Sequence, residues 1–177
     1  VEDVTLGLHG VVNGIKEGGI YVDLSTSRPS LIRRIGEIFE EKSVKVLDAP
    51  VLTSPATAAD RQVVVMPSGD REVYQKLRPL FDSFADTVVY QGPLGMGSTC
   101  KLVNNMITLA VRQVVAEGLT LGEKAGLDLD SLMEAGNRMV LGHQEEGLRK
   151  TVFRGQFDPP SFRQALARKD IGLANEL

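Results

Sequence analysis

Lys101 and Asn105 stand four residues apart in the stretch Gly95-Met96-Gly97-Ser98-Thr99-Cys100-Lys101-Leu102-Val103-Asn104-Asn105. On a helix that spacing places both side chains on one face. A primary amine there can give a proton to a hydroxyl oxygen or take one from it, while the neighbouring amide holds the same oxygen. Gly95 and Gly97 allow a tight turn and the close approach of a ligand just before the helix begins. An ammonium in the first turn opposes the helix dipole at a cost of about a few tenths of a kcal/mol, and burial lowers its pKa further. Taken alone, the pattern also fits a structural or solvated lysine near a helix start. Ser25 and Thr26, after the apolar run Ile20–Leu24, read either as turn formers closing a strand or as ligand contacts. Lys169-Asp170 reads either as an exposed helix pair or as part of a site. His9 and His143 belong to no metal-ligand or triad pattern and read as structural or exposed. The single Cys100 excludes an internal disulfide and cannot build a zinc site by itself, so no metal is expected.

The elements that must carry these residues change character along the chain. Val1–Leu8 reads as helix, and Ile20–Leu24 as a buried strand after Gly18-Gly19. Leu31, Ile32, Ile35, Ile38 and Phe39 then recur at helical spacing, with Pro29 suited to the first turn and Ser27 to the N-cap. Val44–Leu47, Gln62–Met66 and Thr87–Tyr90 read as strands, and Arg71–Phe84 as a helix in which Pro79 is a candidate kink. Strands alternating with helices predict an α/β layer structure over residues 1–93. From about Ser98 to Ala125 there is no proline, and apolar residues from Leu102 to Leu121 cover more than one helical face. A helix of that kind, about 42 Å long at 1.5 Å per residue, is expected to be largely buried. Gly126 ends it, Leu127–Ser131 caps the next helix, and the remainder reads as helical apart from a loop around residues 157–160. The second domain, 94–177, is therefore expected to be all-α with a long central helix.

Composition bounds the function class. Of the 177 residues, 42% are hydrophobic and 24% charged, as in a globular protein. A net charge of -3 gives no basic footprint for nucleic acid, so none is expected as a partner. No apolar run approaches the roughly 18 residues of a membrane span, so no membrane association is expected, and the cysteine usage suits the cytoplasm. Both ends fall within helical patterns without cap or stop signals, and the chain reads as a piece of a longer protein.

The Gly95–Asn105 stretch resembles the catalytic helix of the β-hydroxyacid dehydrogenases, the family of 3-hydroxyisobutyrate and 6-phosphogluconate dehydrogenases. Val22-Asp23-Leu24-Ser25-Thr26-Ser27, followed by Pro29, is similar to the strand and turn that meet the nicotinamide end of the cofactor in that family. Leu47-Asp48-Ala49-Pro50-Val51 resembles the opening of its substrate-binding motif, and Lys169-Asp170 the lysine–aspartate pair of a later helix. These segments lie in the family's order along the whole chain. The resemblance implies the later part of a Rossmann-type dinucleotide-binding domain followed by a helical substrate and dimerisation domain. It implies a hydride transfer between NAD or NADP and a small 3-hydroxy acid or its semialdehyde. Lys101 would be the general acid/base and Asn105 would orient the substrate. Ser25, Thr26, Gly95 and Lys169 would contact the cofactor, and a homodimer or homotetramer would form through the helical half.

The chain departs from the family at two places. No G-x-G-x-x-G follows a strand, so the pyrophosphate cradle is missing and the chain alone is expected to be inactive. Leu52, Thr53 and Ser54 stand where the family has Ser-Gly-Gly at its substrate cradle, with Arg61 nearby as a possible counter-charge for an anionic substrate. The alternative functions are a non-catalytic binding or assembly module on the same scaffold and a reductase of an altered carbonyl or imine substrate.

Overall fold

The computed structural model describes residues 1–136, 158, 160 and 162–177, so His143 and most of the loop expected around 157–160 lie outside the described residues. After a short helix α1 (Glu2–Leu6) and a 3₁₀ turn (Val11–Asn13) come β1 (Ile20–Asp23) and α2 (Pro29–Glu40). Next are β2 (Lys45–Asp48), β3 (Val51–Leu52), the five-residue α3 (Pro55–Ala59), β4 (Val64–Val65) and β5 (Ser68–Gly69). Then α4 (Arg71–Phe84), β6 (Thr87–Val88), the 29-residue α5 (Met96–Lys124), α6 (Leu129–Gly136) and α7 (Gln164–Ala174) follow. The structure is an α/β arrangement followed by helices, as the alternation of elements predicts, and it is of the Rossmann type that the family resemblance implies.

Strand β1 pairs with β2 in parallel and β4 with β6 in parallel, while β2 meets β5 and β3 meets β4 antiparallel. The antiparallel pairings Leu47↔Gly69, Asp48↔Ser68, Val51↔Val65 and Leu52↔Val64 share a single register. Two short ladders therefore form one bent strand pair, interrupted where Pro50 and Pro67 have no N–H to donate. Met66 N–H donates to the Pro50 carbonyl at 3.0 Å inside that gap. The short β3 and β5 are not apparent in the sequence, because each is only two residues long and a proline adjoins it.

Alternation along β2 explains the layers. Val46 joins a cluster with Ile32, Ile35 and Phe39 of α2, whereas the next residue, Leu47, packs with Val65 and Phe81 on the opposite face. Helix α2 takes Pro29 at its start, but its N-cap is Arg28 without a side-chain bond; Ser27, expected there, is buried instead. Asp70 caps α4, accepting from the N–H groups of Glu72 and Val73, and Pro79 is accommodated inside it.

Two compact units emerge from the packing: Val1–Asn105 with Ala165–Leu177, and Met106–Gln164. The first ten residues of α5 and most of α7 thus pack with the α/β layers. In the second unit, Val115 and Leu119 of α5 form a small core with Met133 of α6. The expected burial of the long helix is not met within the chain. Leu102, Val115 and Leu119 are buried, but Val103, Ile107, Val114 and Leu121 are exposed. Its apolar arc is wider than the described elements of the chain cover. Gly126, at φ 85°, ends the turn after α5, and Asp128 then accepts from the Ser131 N–H at the start of α6. No helix among the described residues is long and apolar enough to cross a membrane.

Candidate active site

The start of α5 is fixed by a buried carboxylate. Asp48, at the carboxyl end of β2, accepts from the Ser98 N–H at 2.6 Å and from the Ser98 hydroxyl at 2.8 Å. The Ser68 hydroxyl donates to Asp48 at 3.2 Å and accepts from the Gly97 N–H at 2.9 Å. Ionised carboxylates are favoured at helix N-termini because they satisfy orphan N–H groups and meet the positive end of the dipole. Burial nevertheless wins: it pushes the Asp48 carboxyl up to about 6, against the lowering effect of the Ser98 and Ser68 bonds, with Asp23 adding to the rise. Gly97 is required by this packing. A Cβ there would run into the Met66 carbonyl oxygen and lie 3.0 Å from Pro50 Cδ. Gly95, at φ 91°, lies against the Pro29 carbonyl and the Arg33 side chain. Both glycines thus answer to the protein's own backbone as well as to any ligand.

One and a half turns on, Lys101 is buried at 9% exposure. Because α5 begins at Met96, Lys101 lies in the second turn and not the first. The dipole fades within the first turn, so desolvation, and not the dipole, is the main cause of its lowered pKa. Asp170 opposes that shift by attraction, and Lys169 adds to it by repulsion. Asn105, on the same face of α5, donates its Nδ2 to Asp170 Oδ2 at 2.8 Å. Asp170 is itself buried at 4% exposure, and Lys169 Nζ sits 2.9 Å from its Oδ1. That ion pair is close but poorly aligned, so Oδ1 accepts no true hydrogen bond among the described residues. Lys169 Nζ donates to the Thr26 carbonyl at 3.2 Å, and Arg28 pairs with Glu176 at 2.5 Å. Helix α7 is thereby tied to the turn after β1, and Lys101, Asn105, Lys169 and Thr26 are brought together with an aspartate at their centre.

The turn after β1 has its own buried carboxylate. Asp23 Oδ1 accepts from the Ser25 N–H at 2.7 Å, and its Oδ2 accepts from the Tyr21 hydroxyl at 3.0 Å. Thr5 of α1 meets the same Tyr21 hydroxyl at 2.9 Å. Ser25 is left exposed and Thr26 half-buried at the carboxyl end of a parallel strand, which is where ligand crevices form in open α/β sheets.

The loop at Leu52–Ser54 is differently disposed. Leu52 is a half-buried strand residue opposite Val64. Ser54 caps α3 in a reciprocal capping box with Thr57, and the Thr53 hydroxyl lies 3.2 Å from that of Thr57 and 3.1 Å from the Gln62 carbonyl. These hydroxyls are occupied within the loop itself. Arg61, expected as a counter-charge, donates instead to the Ser83 carbonyl at 2.7 Å, at the carboxyl end of α4. His9 is exposed. Sequence reading named the segments containing Asp23, Asp48 and Asp170 but gave none of them a role of its own. The signal for Asp23 and Asp48 is an aspartate closing an apolar strand, an expensive residue to bury without several donors; Asp170 lies within α7 and carries no such signal.

Parallel strands flanked by helices, followed by one long helix, place the chain among the Rossmann-type dinucleotide-binding proteins. The family described as the NAD binding domain of 6-phosphogluconate dehydrogenase matches residues 1–92, and that described as the NAD-binding domain of NADP-dependent 3-hydroxyisobutyrate dehydrogenase matches residues 95–177. The chain belongs to this hydroxyacid dehydrogenase family. It is 30% identical to an uncharacterised oxidoreductase of Bacillus subtilis over 99% of its own length and 61% of the relative's. It is 31% identical to glyoxylate/succinic semialdehyde reductase 2 of Arabidopsis thaliana, over 97% of the chain and 48% of the relative. The structure of Mycobacterium tuberculosis 3-hydroxyisobutyrate dehydrogenase with L-serine matches at 28% identity and a TM-score of 0.81, covering 94% of this chain and 60% of that one. The chain therefore spans between about half and three fifths of these relatives' lengths.

Proposed function

We propose that this chain forms the substrate-facing and nicotinamide-facing part of an NAD(P)-dependent oxidoreductase of small 3-hydroxy acids or their semialdehydes, with Lys101 as general acid/base. The observation that carries the reading is the buried Lys101 on one helix face with Asn105, which Asp170 holds. Similarity to a semialdehyde reductase and to a 3-hydroxyisobutyrate dehydrogenase with L-serine supports the substrate class.

The exposed Ser25 and half-buried Thr26 at the end of β1, with Lys169 across the Thr26 carbonyl, fit the nicotinamide end of a dinucleotide. Gly95 would let the chain pass close to it at the start of α5. Bound NAD or NADP supplies or receives the hydride. For oxidation, neutral Lys101 accepts the substrate hydroxyl proton as the carbinol C–H bond breaks; for reduction, protonated Lys101 returns that proton to the carbonyl oxygen. Desolvation of Lys101 enlarges the neutral fraction, and Asp170 preserves the protonated one, so the amine can serve both directions. Asn105 gives one Nδ2 hydrogen to Asp170 and has a second to donate to the substrate oxygen, hydroxyl or carbonyl, whose proton Lys101 exchanges. Leu52, Thr53 and Ser54 would border the substrate as loop walls, with the hydroxyls already engaged.

The cytoplasm is the compartment assigned here, and assembly into a homodimer or homotetramer through the helical half would cover Val103, Ile107, Val114 and Leu121. The protein at its full genomic length, assayed with both cofactors on hydroxy acids and semialdehydes, tests the reading. Lys101→Ala should reduce turnover by about 10²-fold or more while the far-UV spectrum and a cooperative melting transition show that the protein is folded. Turnover retained by a folded Lys101→Ala protein would remove the role given to the lysine.

A further inference from the structure

We infer that Asp48 is a positioning residue for the reaction: its ionised carboxylate, through Ser98, sets the placement of the helix that carries Lys101 and Asn105. The inference rests on the proposed role of Lys101. Its ground is geometric. Both oxygens of one buried side chain, at the end of a strand in the middle of the sheet, are spent on the first turn of α5 and on Ser68. Ser68 in turn accepts from Gly97, so two successive amides at the helix start answer to the same group. The helix start packs closely at Gly97, where an added Cβ would run into the Met66 carbonyl oxygen and lie 3.1 Å from that of Asp48. From that clamp to Lys101 is three residues of continuous helix, so a shift of the first turn is transmitted to the amine with little loss.

The clamp depends on charge. The charged group that faces Asp48 is Asp23, its register partner on β1; Ser68 on β5 and Ser98 on α5 face it with uncharged hydroxyls. A carboxylate accepts from every donor around it. A protonated Asp48 must itself donate to one of the serine hydroxyls, which reverses one bond and removes the charge that meets the helix dipole. Because its pKa is pushed up to about 6, that change falls in an accessible pH range.

The experiment has a kinetic arm and an exchange arm. In the carbonyl-reducing direction Lys101 must be protonated, so its titration places no limb at low pH. The full-length protein is expected to show kcat falling below about pH 6, with KM for the cofactor unchanged. Asp48→Asn, an isostere of the protonated form, should show the low-pH kcat at every pH and lack the limb. Asp48→Ala should lose about 100-fold in kcat, and Ser98→Ala an intermediate amount. In the exchange arm, the amide protons of Gly97 and Ser98 should exchange at least about tenfold faster in Asp48→Ala than in the parent chain. Should Asp48→Ala fail to fold, Asp48→Asn and Ser98→Ala carry both arms. An unchanged acid limb in Asp48→Asn, or unchanged Gly97 and Ser98 exchange in a folded variant, overturns the inference. If the parent protein turns over none of the substrates, the proposed reaction fails, while the exchange arm still decides whether Asp48 anchors the helix.

Discussion

Replacing Asp170 separates two effects that the native residue combines. Asp170→Ala leaves the Asn105 amide without its 2.8 Å acceptor and Lys101 without its attracting charge. An orphaned, partly buried amide costs about 1–3 kcal/mol. The Lys169 pair adds little, because that lysine is 46% exposed and such pairs are worth about 0–1 kcal/mol. If the same energy is what holds Asn105 toward the substrate, kcat falls by about 10- to 100-fold at about 1.4 kcal/mol per decade. Asp170→Asn keeps an oxygen for Asn105 and removes only the charge. Asp170 raises the Lys101 pKa, so its neutral isostere lets that pKa drop further. In the carbonyl-reducing direction the active form is protonated Lys101, and activity is lost as pH rises through the lysine pKa. The alkaline limb of kcat in Asp170→Asn should therefore move to lower pH, with near-native stability in urea. An unmoved limb, or one displaced to higher pH, would refute both the role of Lys101 as acid/base and that of Asp170 as its electrostatic partner.

Two further outcomes follow from packing. Gly97→Ala should destabilise the chain by about 1–3 kcal/mol, the range for overpacking, because its Cβ meets the backbone oxygen of Met66; a urea midpoint equal to the parent's would contradict that contact. The exposed apolar face of α5 predicts that the full-length protein runs in light scattering as a dimer or tetramer, and a monomer would count against assembly through the helical half.

Much of the fold is legible in the sequence because its signals are local. The spacing of Ile32, Ile35 and Phe39 shows α2, the proline-free apolar stretch shows α5, and Lys101 with Asn105 shows a shared helical face. What the sequence hides is the long-range use of polar side chains. Ser98 could be read as an ordinary helix-start residue, yet its hydroxyl serves an aspartate fifty positions earlier in the chain. Asn105 reads as a substrate ligand, but its orientation depends on Asp170, sixty-five positions later. The burial expected for α5 failed for a related reason: periodicity reports how much of a helix is apolar, not which element covers it. Arg61 shows the same limit, since charge and position suggested a ligand whereas its reach ends on the carbonyls of α4.

Asp48 and Lys101 are both costly to bury in their charged forms at the start of α5. The Lys101 pKa lies below the ordinary 10.5, so the folded state binds fewer protons than the unfolded one and stability rises with pH toward that value. For Asp48 the sign is reversed: raised from 3.8 to about 6, it makes the folded state bind more protons between those values, and stability falls as pH rises through them. Near neutral pH both penalties act at once. A neutral isostere at position 48 should then relieve its share, by up to about 3 kcal/mol at about 1.4 kcal/mol per pKa unit. Asp48→Asn is accordingly expected to raise the urea midpoint at pH 7.5 and to lose most of that advantage at pH 4, where the native carboxyl is largely protonated in the fold. A variant that gains stability while losing kcat would mean that the charge is kept for the placement of Lys101. A variant less stable at pH 7.5 than the parent would mean that the Ser98 and Ser68 bonds outweigh the burial of the charge, and that Asp48 holds the fold together before it serves the site.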